Sequence, residues 1–194
     1  MVRVAPRSGL PILTVDLDGV VCGPLFGLNL GIHRGFLDPD APPPRAKVPP
    51  RRLSRLVDHA RFDLRRPLRG AREALIELRA LRTLVLLTGR RSSPAHWLRR
   101  HGLADLVDEV IVNSTPLASP HFKLDAIAVL GAAEHIDDDG RTAQLLAQRS
   151  QARSFLCDWP RNRGLPLDPG VTRVADLGAL VRLLREERAG GGPA

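Results

Sequence analysis

Ile12-Leu13-Thr14-Val15-Asp16-Leu17-Asp18-Gly19-Val20 is the stretch from which the rest of the chain can be read. Its β-branched and apolar start predicts a short buried strand. Two carboxylates close that strand. They repel one another and resist desolvation, so burial alone does not place them there. On extended backbone, positions i and i+2 point to the same side. Asp16 and Asp18 are therefore expected to face one space, with a hard cation as their neutraliser. Gly19 allows a sharp turn and a close approach to a ligand. An ordinary Asp-Gly turn accounts for Asp18 and Gly19 but leaves Asp16 unexplained.

Beyond this strand the pattern changes. Residues 24–67 are rich in proline, as in Ala41-Pro42-Pro43-Pro44 and Val48-Pro49-Pro50, with one helix-like segment around Leu53, Leu56, Val57 and Ala60. From Gly70 onward the chain alternates. Ala71, Ala74, Leu75 and Leu78 mark an amphipathic helix, and Thr83 to Leu87 a strand. Ser93-Pro94 predicts a helix start with Ser as N-cap and Pro at the first position. Val107–Val112 is the next strand. Leu124, Ile127 and Ala128 mark a helix, Ala133–Ile136 a strand, Thr142–Gln148 a helix and Arg153–Cys157 a strand. Leu177, Leu180, Val181 and Leu184 line the last helix. The expectation is an α/β fold with a Rossmann-like three-layer α/β/α core around a mainly parallel five-stranded sheet. Residues 1–23 and 68–194 form that core, and residues 24–67 form a small, mostly helical insertion after the first strand.

With 194 residues the chain is long enough for one sizeable core. Its formal charge is +8, almost all of it arginine, the only lysines being Lys47 and Lys123. The arginines are scattered, Tyr is absent and Trp and Phe are few, which speaks against a nucleic-acid surface that stacks bases. Cys22 and Cys157 have no metal-type spacing and no disulfide framework, and read as reduced thiols. Pro6, Pro11 and Asp16 interrupt any apolar leader, and no stretch approaches the length of a membrane span. A cytoplasmic protein with no membrane partner is expected.

In a parallel α/β sheet, ligands bind outside the carboxyl ends of the strands. Those ends carry Asp16-Leu17-Asp18, Leu87-Thr88-Gly89-Arg90, Ile136-Asp137-Asp138-Asp139 and Cys157-Asp158-Trp159-Pro160-Arg161-Asn162-Arg163. Lys123 lies at the start of a helix that leads back into the sheet. So many carboxylates in one cleft need a counter-charge. Oxygens from Asp16, Asp137 or Asp138, with one main-chain carbonyl and waters, suit Mg²⁺.

The ordered set Asp16-Leu17-Asp18-Gly19-Val20, Leu87-Thr88-Gly89-Arg90, Lys123 and Ile136-Asp137-Asp138 resembles the haloacid dehalogenase-like superfamily of phosphohydrolases. The resemblance covers the chain apart from Pro24–Pro67. The Thr-Gly-Arg form, the Asp-Asp pair and Trp159 to Arg163 are similar to its 5′(3′)-deoxyribonucleotidase-like branch. The resemblance implies a Mg²⁺-dependent phosphomonoester hydrolase with an aspartyl-phosphate intermediate. Asp16 would be the nucleophile and Asp18 the general acid and base. Thr88, the Gly89 amide and Lys123 would bind the phosphoryl group. The metal would be held by Asp16, the Asp18 main-chain carbonyl and Asp137, with Asp138 direct or through water. The superfamily's dehalogenase chemistry lacks the second Asp of this scheme.

The insertion occupies the place of the family's small cap, which closes over the site and reads the leaving group. Phe26, Asn29, His33, Phe36 and Phe62, with Arg90 and Arg161 from the core, are the candidate substrate contacts; the cap aromatics alternatively form the cap's own core. Asp139 reads as a helix N-cap, Asp158 as cleft rim or loop cap, and the six histidines as structural or solvated. The expected partner is a small phosphorylated metabolite, with a nucleoside monophosphate as the preferred class. The alternatives are a sugar phosphate or other small metabolite, the phosphorylated end of a nucleic acid, and a non-catalytic module of the same fold.

Overall fold

The computed structural model describes residues 7–24, 35–45 and 64–190. Phe26, Asn29, His33, Phe62 and the helix expected around Leu53 lie outside the described residues, and with them most of the expected insertion. Strand β1 (Ile12–Val15) is followed by α1 (Ala71–Arg79), β2 (Thr83–Thr88), α2 (Ala95–Arg100), β3 (Glu109–Val112) and α3 (Ser119–Leu130). Then come β4 (Glu134–Asp137), α4 (Gly140–Arg149), β5 (Arg153–Cys157), β6 (Val171–Val174) and α5 (Leu177–Gly190).

The sheet runs β3-β2-β1-β4-β5-β6, and every neighbouring pair is parallel. It has six strands where the sequence predicts five. The addition is β6, a four-residue edge strand of which only Val174 is fully buried. Such a strand carries too little apolar pattern to stand out. The chain builds outward from β1 through β2 to β3, then crosses back to β4 on the other side of β1. The order therefore reverses between β1 and β4, and in such sheets the crevice that takes a ligand lies outside the carboxyl ends at that point.

Alternation along the strands sends side chains to two faces. Leu13, Val15, Leu17, Leu84, Leu86, Ile136 and Phe155 share one core with residues of α1, α2 and α5. Ile12, Val85 and Leu87 share the other with Phe122 and Ile127 of α3 and Leu146 of α4. By the same alternation Thr14 in β1, and His135 and Asp137 in β4, fall on the side of α3 and α4. Three of the polar residues nearest the crevice are thus delivered to the face from which Lys123 comes.

Local endings follow the sequence with small shifts. Asp139 caps α4, its Oδ1 accepting from the Arg141 amide at 3.0 Å. Gly131, at φ +59°, ends α3. Helix α2 begins one residue later than expected: Pro94 is the cap, and the Ser93 hydroxyl accepts from the Ala95 amide at 3.3 Å. The insertion leaves and rejoins the core through a short stem, where Gly23 N donates to Arg66 O and Leu68 N to Val21 O, both at 2.9 Å. Within it, residues 35–45 touch the core where Ala118 N donates to Pro44 O at 2.9 Å. Both cysteines are buried and free. Among the described residues no helix is long and apolar enough to cross a membrane.

Burial sets the stability expected of single truncations. Leu86 is fully buried in β2, whereas Val129 on α3 is 50% exposed. Leu86→Ala should cost about 2–5 kcal/mol through lost burial and the cavity left behind. Val129→Ala should stay within about 0.5 kcal/mol. Urea unfolding measures both, and equal losses would contradict this packing.

Candidate active site

The backbone builds the crevice first. Asp16 N still donates to Ile136 O at 3.0 Å, so Asp16 is held against β4 one residue beyond β1. The chain then turns, with Gly19 at φ +82° and its amide donating to Cys22 O at 2.8 Å. A Cβ on Gly19 would fall 1.8 Å from Asp138 Oδ2. Glycine is therefore required twice here, for a left-handed backbone and for the approach of Asp138.

Lys123 is the centre of the buried network. Its ammonium lies 2.8 Å from Asp16 Oδ1 and 2.7 Å from Asp137 Oδ2. It reaches them from the second turn of α3, further into the helix than its expected place at the start. Burial pulls the lysine's pKa down, but the charges of Asp137 and Asp16 outweigh that and hold it above its ordinary value. Asp137 is saturated. Its Oδ2 also meets His135 Nε2 at 3.0 Å, and its Oδ1 accepts from the amides of Asp138 at 2.9 Å and Asp139 at 3.0 Å. Burial would raise Asp137, but Lys123 and His135 overcome it and keep the carboxylate ionised.

His135 is part of this network and not a solvated residue. Its Nδ1 lies 2.8 Å from Thr14 Oγ1. Burial depresses its pKa against the pull of Asp137 and leaves the ring neutral. The Thr14 hydroxyl, with its single proton, lies between two neighbours, His135 Nδ1 and the Glu134 carbonyl, to which it donates at 3.1 Å. Thr14-His135-Asp137-Lys123-Asp16 then form a continuous polar chain under the crevice. Neither Thr14 nor His135 could be picked from sequence by spacing, because alternation alone brings them to this face.

Asp16, Asp137 and Asp138 each present an oxygen to one point, the three atoms lying within 4.8 Å of one another. All three are buried. Asp138 contacts the Arg161 guanidinium. Burial, then the charges of Asp137 and Asp16, push Asp138 well above the usual carboxylate range. Asp16 is pushed up to about 7, by burial first, with Lys123 opposing and Asp137 and Asp18 adding to the rise. Raised carboxyls in a cluster mark a place short of positive charge. Hard oxygen donors in this number suit a hard divalent cation such as Mg²⁺.

Asp18 does not share the partner of Asp16. The strand ends at Val15, so the same-side rule for extended backbone stops short of Asp18. Arg90 grips the Asp18 carboxylate with two bonds, Nε to Oδ2 at 2.8 Å and Nη2 to Oδ1 at 2.6 Å. Arg65 Nη1 adds a third at 2.5 Å, and the Cys22 thiol lies 3.4 Å away. Burial would raise Asp18, but Arg90 and then Arg65 outweigh it and hold the carboxyl below its ordinary value. Arg65 is fixed in turn, its carbonyl accepting from Trp97 Nε1 at 2.8 Å.

The other expected residues fall as follows. Thr88 ends β2, buried, with Oγ1 accepting from the Arg90 amide at 3.3 Å. Gly89 lies so close to the start of α3 that a Cβ would meet Ser119 Oγ at 2.3 Å. Asp158 pairs with Arg173 of β6 at 2.6 Å, away from the carboxylate cluster's own contacts. Arg90 and Arg161, expected against substrate, have carboxylate partners here. Phe36 is half-buried. The loop after β5 is tied to the crevice by residues the sequence reading did not assign. Trp159 Nε1 donates to Gly19 O at 2.8 Å, and Asn162 Nδ2 to Asp138 O at 3.1 Å.

No family model matches the sequence, and no curated protein is significantly similar to it. Solved structures do share its architecture. A haloacid dehalogenase-like family hydrolase from Xanthomonas campestris superposes with a TM-score of 0.60 at 15% identity, over 95% of this chain and 99% of that one. The D,D-heptose 1,7-bisphosphate phosphatase of B. bronchiseptica, solved with magnesium and phosphate, gives 0.54 at 17% identity, over 92% and 99%. The L-2-haloacid dehalogenase of Xanthobacter autotrophicus, with chloropropionic acid covalently bound, gives 0.55 at 17% over 75% and 69%. At these identities the shared property is the fold, which is that of the haloacid dehalogenase-like hydrolases.

The raised pKa of Asp16 has a consequence for stability. In the unfolded chain its value is 3.8, and in the fold about 7. Between those values the native state binds more protons than the unfolded one, so Asp16 lowers stability as pH rises through that window. Asp16→Asn removes this dependence. In chelator, the stability of Asp16→Asn relative to the wild type should grow between about pH 4 and about pH 7, by up to about 1.4 kcal/mol per unit, and level off above. Urea unfolding at several pH values checks this; a difference that stays constant would contradict the assignment.

Proposed function

We propose that this protein is a Mg²⁺-dependent phosphomonoester hydrolase that works through an aspartyl-phosphate on Asp16. The observation that carries the reading is the meeting of Asp16, Asp137 and Asp138 within 4.8 Å beside the Lys123 ammonium. A cluster with two raised carboxyls fits a divalent cation, and Asp16, which closes β1, would be the member that attacks.

Asp16, the Asp18 main-chain carbonyl and Asp138 would hold Mg²⁺. Asp137, already saturated by Lys123, His135 and two amides, would act mainly by fixing Lys123 and the loop. When bound, the ion supplies charge to phosphoryl oxygens and lowers the repulsion between phosphate and carboxylates. Lys123 opposes the rise of Asp16 and so favours its ionised, nucleophilic form, and it offers positive charge to the transferring group. An Asp16 oxygen bonds to phosphorus as the bond to the leaving alcohol breaks. A water then attacks the phosphorus, the Asp16–phosphorus bond breaks, and inorganic phosphate leaves. Thr88, the Gly89 amide and Ser119, which meet at the ends of β2 and α3, would bind phosphoryl oxygens.

Asp18 is the acid and base of this scheme, and its surroundings divide the two roles. Ionised between Arg90 and Arg65, it is in the form that takes a proton from the hydrolytic water. To protonate a leaving alcohol it must first be freed from those guanidiniums. Arg65 stands on the stem by which residues 24–67 rejoin the core, so movement of that insertion, acting as a cap, would withdraw one of the two guanidiniums and leave Arg90 on the core. The leaving group is read by the same insertion. A nucleoside monophosphate is the preferred class, on the sequence resemblance of Thr88-Gly89-Arg90 and Trp159 to Arg163. A sugar phosphate is the second class, because the same fold carries a heptose bisphosphate phosphatase.

An aryl phosphate, whose leaving group needs little protonation, is the first substrate to try. The wild type should hydrolyse it only with Mg²⁺, and Asp16→Asn should lose at least about 10³-fold in kcat. A panel of nucleoside monophosphates, sugar phosphates and end-phosphorylated oligonucleotides then ranks the classes by kcat/KM. Folded wild type that turns over none of these with Mg²⁺ would refute the reading.

A further inference from the structure

Asp138 is claimed from two sides. One of its oxygens belongs to the cluster with Asp16 and Asp137. Its Oδ2 also holds the Arg161 guanidinium, and both side chains of this pair are largely shielded from solvent. The loop that carries Arg161 is built onto the crevice. Trp159 is pinned to Gly19 O, and Asn162 bonds the main-chain carbonyls of Asp138 and, at 2.8 Å, Cys157. The guanidinium also lies 5.1 Å over the Trp159 ring, a second resting contact that does not depend on Asp138.

Charge decides what this arrangement means. Three carboxylates meet two side-chain cations, Lys123 and Arg161, which leaves one net negative charge if all are ionised. A divalent ion added with Arg161 still in place makes the balance positive by one, and sets two cations against the same carboxylate at close range. A phosphate dianion then returns the balance to negative by one. Ion and guanidinium therefore compete for Asp138, while phosphate and guanidinium attract.

We propose that Arg161 is a built-in counter-cation of the metal site: it holds Asp138 while no ion is bound, yields it to a divalent ion, and turns its guanidinium to the phosphate. This rests on the metal-dependent phosphoryl-transfer reading above. An internal competitor lowers the apparent affinity for the ion by the fraction of time it leaves the ligand open. Because the displaced guanidinium binds phosphate, ion and phosphate strengthen one another, and Arg161 carries part of that coupling.

The test titrates Mg²⁺ calorimetrically into the full chain, with and without inorganic phosphate, for wild type, Arg161→Gln and Arg161→Lys. Circular dichroism and thermal melting confirm the fold of each. Without phosphate, Arg161→Gln should bind the ion at least about fivefold more tightly than wild type, with Arg161→Lys between them. Phosphate should tighten ion binding by a larger factor in wild type than in Arg161→Gln. A folded Arg161→Gln that binds Mg²⁺ no more tightly than wild type overturns the inference while leaving the metal site standing. Binding of Mg²⁺ by none of the three proteins, with or without phosphate, overturns the metal reading itself.

Discussion

Three carboxylates can stand together at the ends of β1 and β4 because a buried ammonium stands between two of them. Lys123 is 2% exposed and within 2.8 Å of both Asp16 and Asp137. Desolvating that many charges is costly, and removing one partner of such a network leaves the rest uncompensated. The surrounding structure is arranged to keep the lysine where it is. Helix α3 aims it into the crevice, Asp137 anchors it, and His135 and Thr14 anchor Asp137 from below. Asp16 ends this polar network, buried beside Asp137 and Asp138, and burial leaves its carboxyl raised.

The second carboxylate of the Asp-x-Asp pair obeys a different constraint. Arg90 and Arg65 hold Asp18 apart from Lys123, and the two acidic residues consequently have opposite pKa shifts. Divergent environments of this kind separate a nucleophile from an acid and base that would otherwise be alike. They also connect chemistry to the insertion, since Arg65 belongs to its returning stem.

Much of this was legible in the sequence. The alternation of helices and strands from Gly70 onward gave the parallel α/β architecture, and the residues closing β1, β2 and β4 gave Asp16, Thr88 and the Asp137–Asp138 pair. What escaped were features with no local pattern. Strand β6 buries a single residue fully, so it has no apolar signature. His135 and Thr14 look like ordinary strand residues until the register sets them beside Asp137. Arg65 and Arg90 lie 25 positions apart in a chain full of arginine, and only the fold brings them to one carboxylate. Asp18 was expected to face one space with Asp16; it is near enough to add to the rise of Asp16, but its side-chain partners are Arg90 and Arg65 and not Lys123.

The proposed chemistry turns on a covalent bond between Asp16 and phosphorus. Mass spectrometry of wild-type protein quenched in acid during turnover of an aryl phosphate with Mg²⁺ tests it most directly. A phosphoryl adduct should map to the peptide containing Asp16, and should be missing in Asp16→Asn. Steady turnover by wild type with no adduct at any quench time, or an adduct that persists in Asp16→Asn, would rule out Asp16 as the nucleophile.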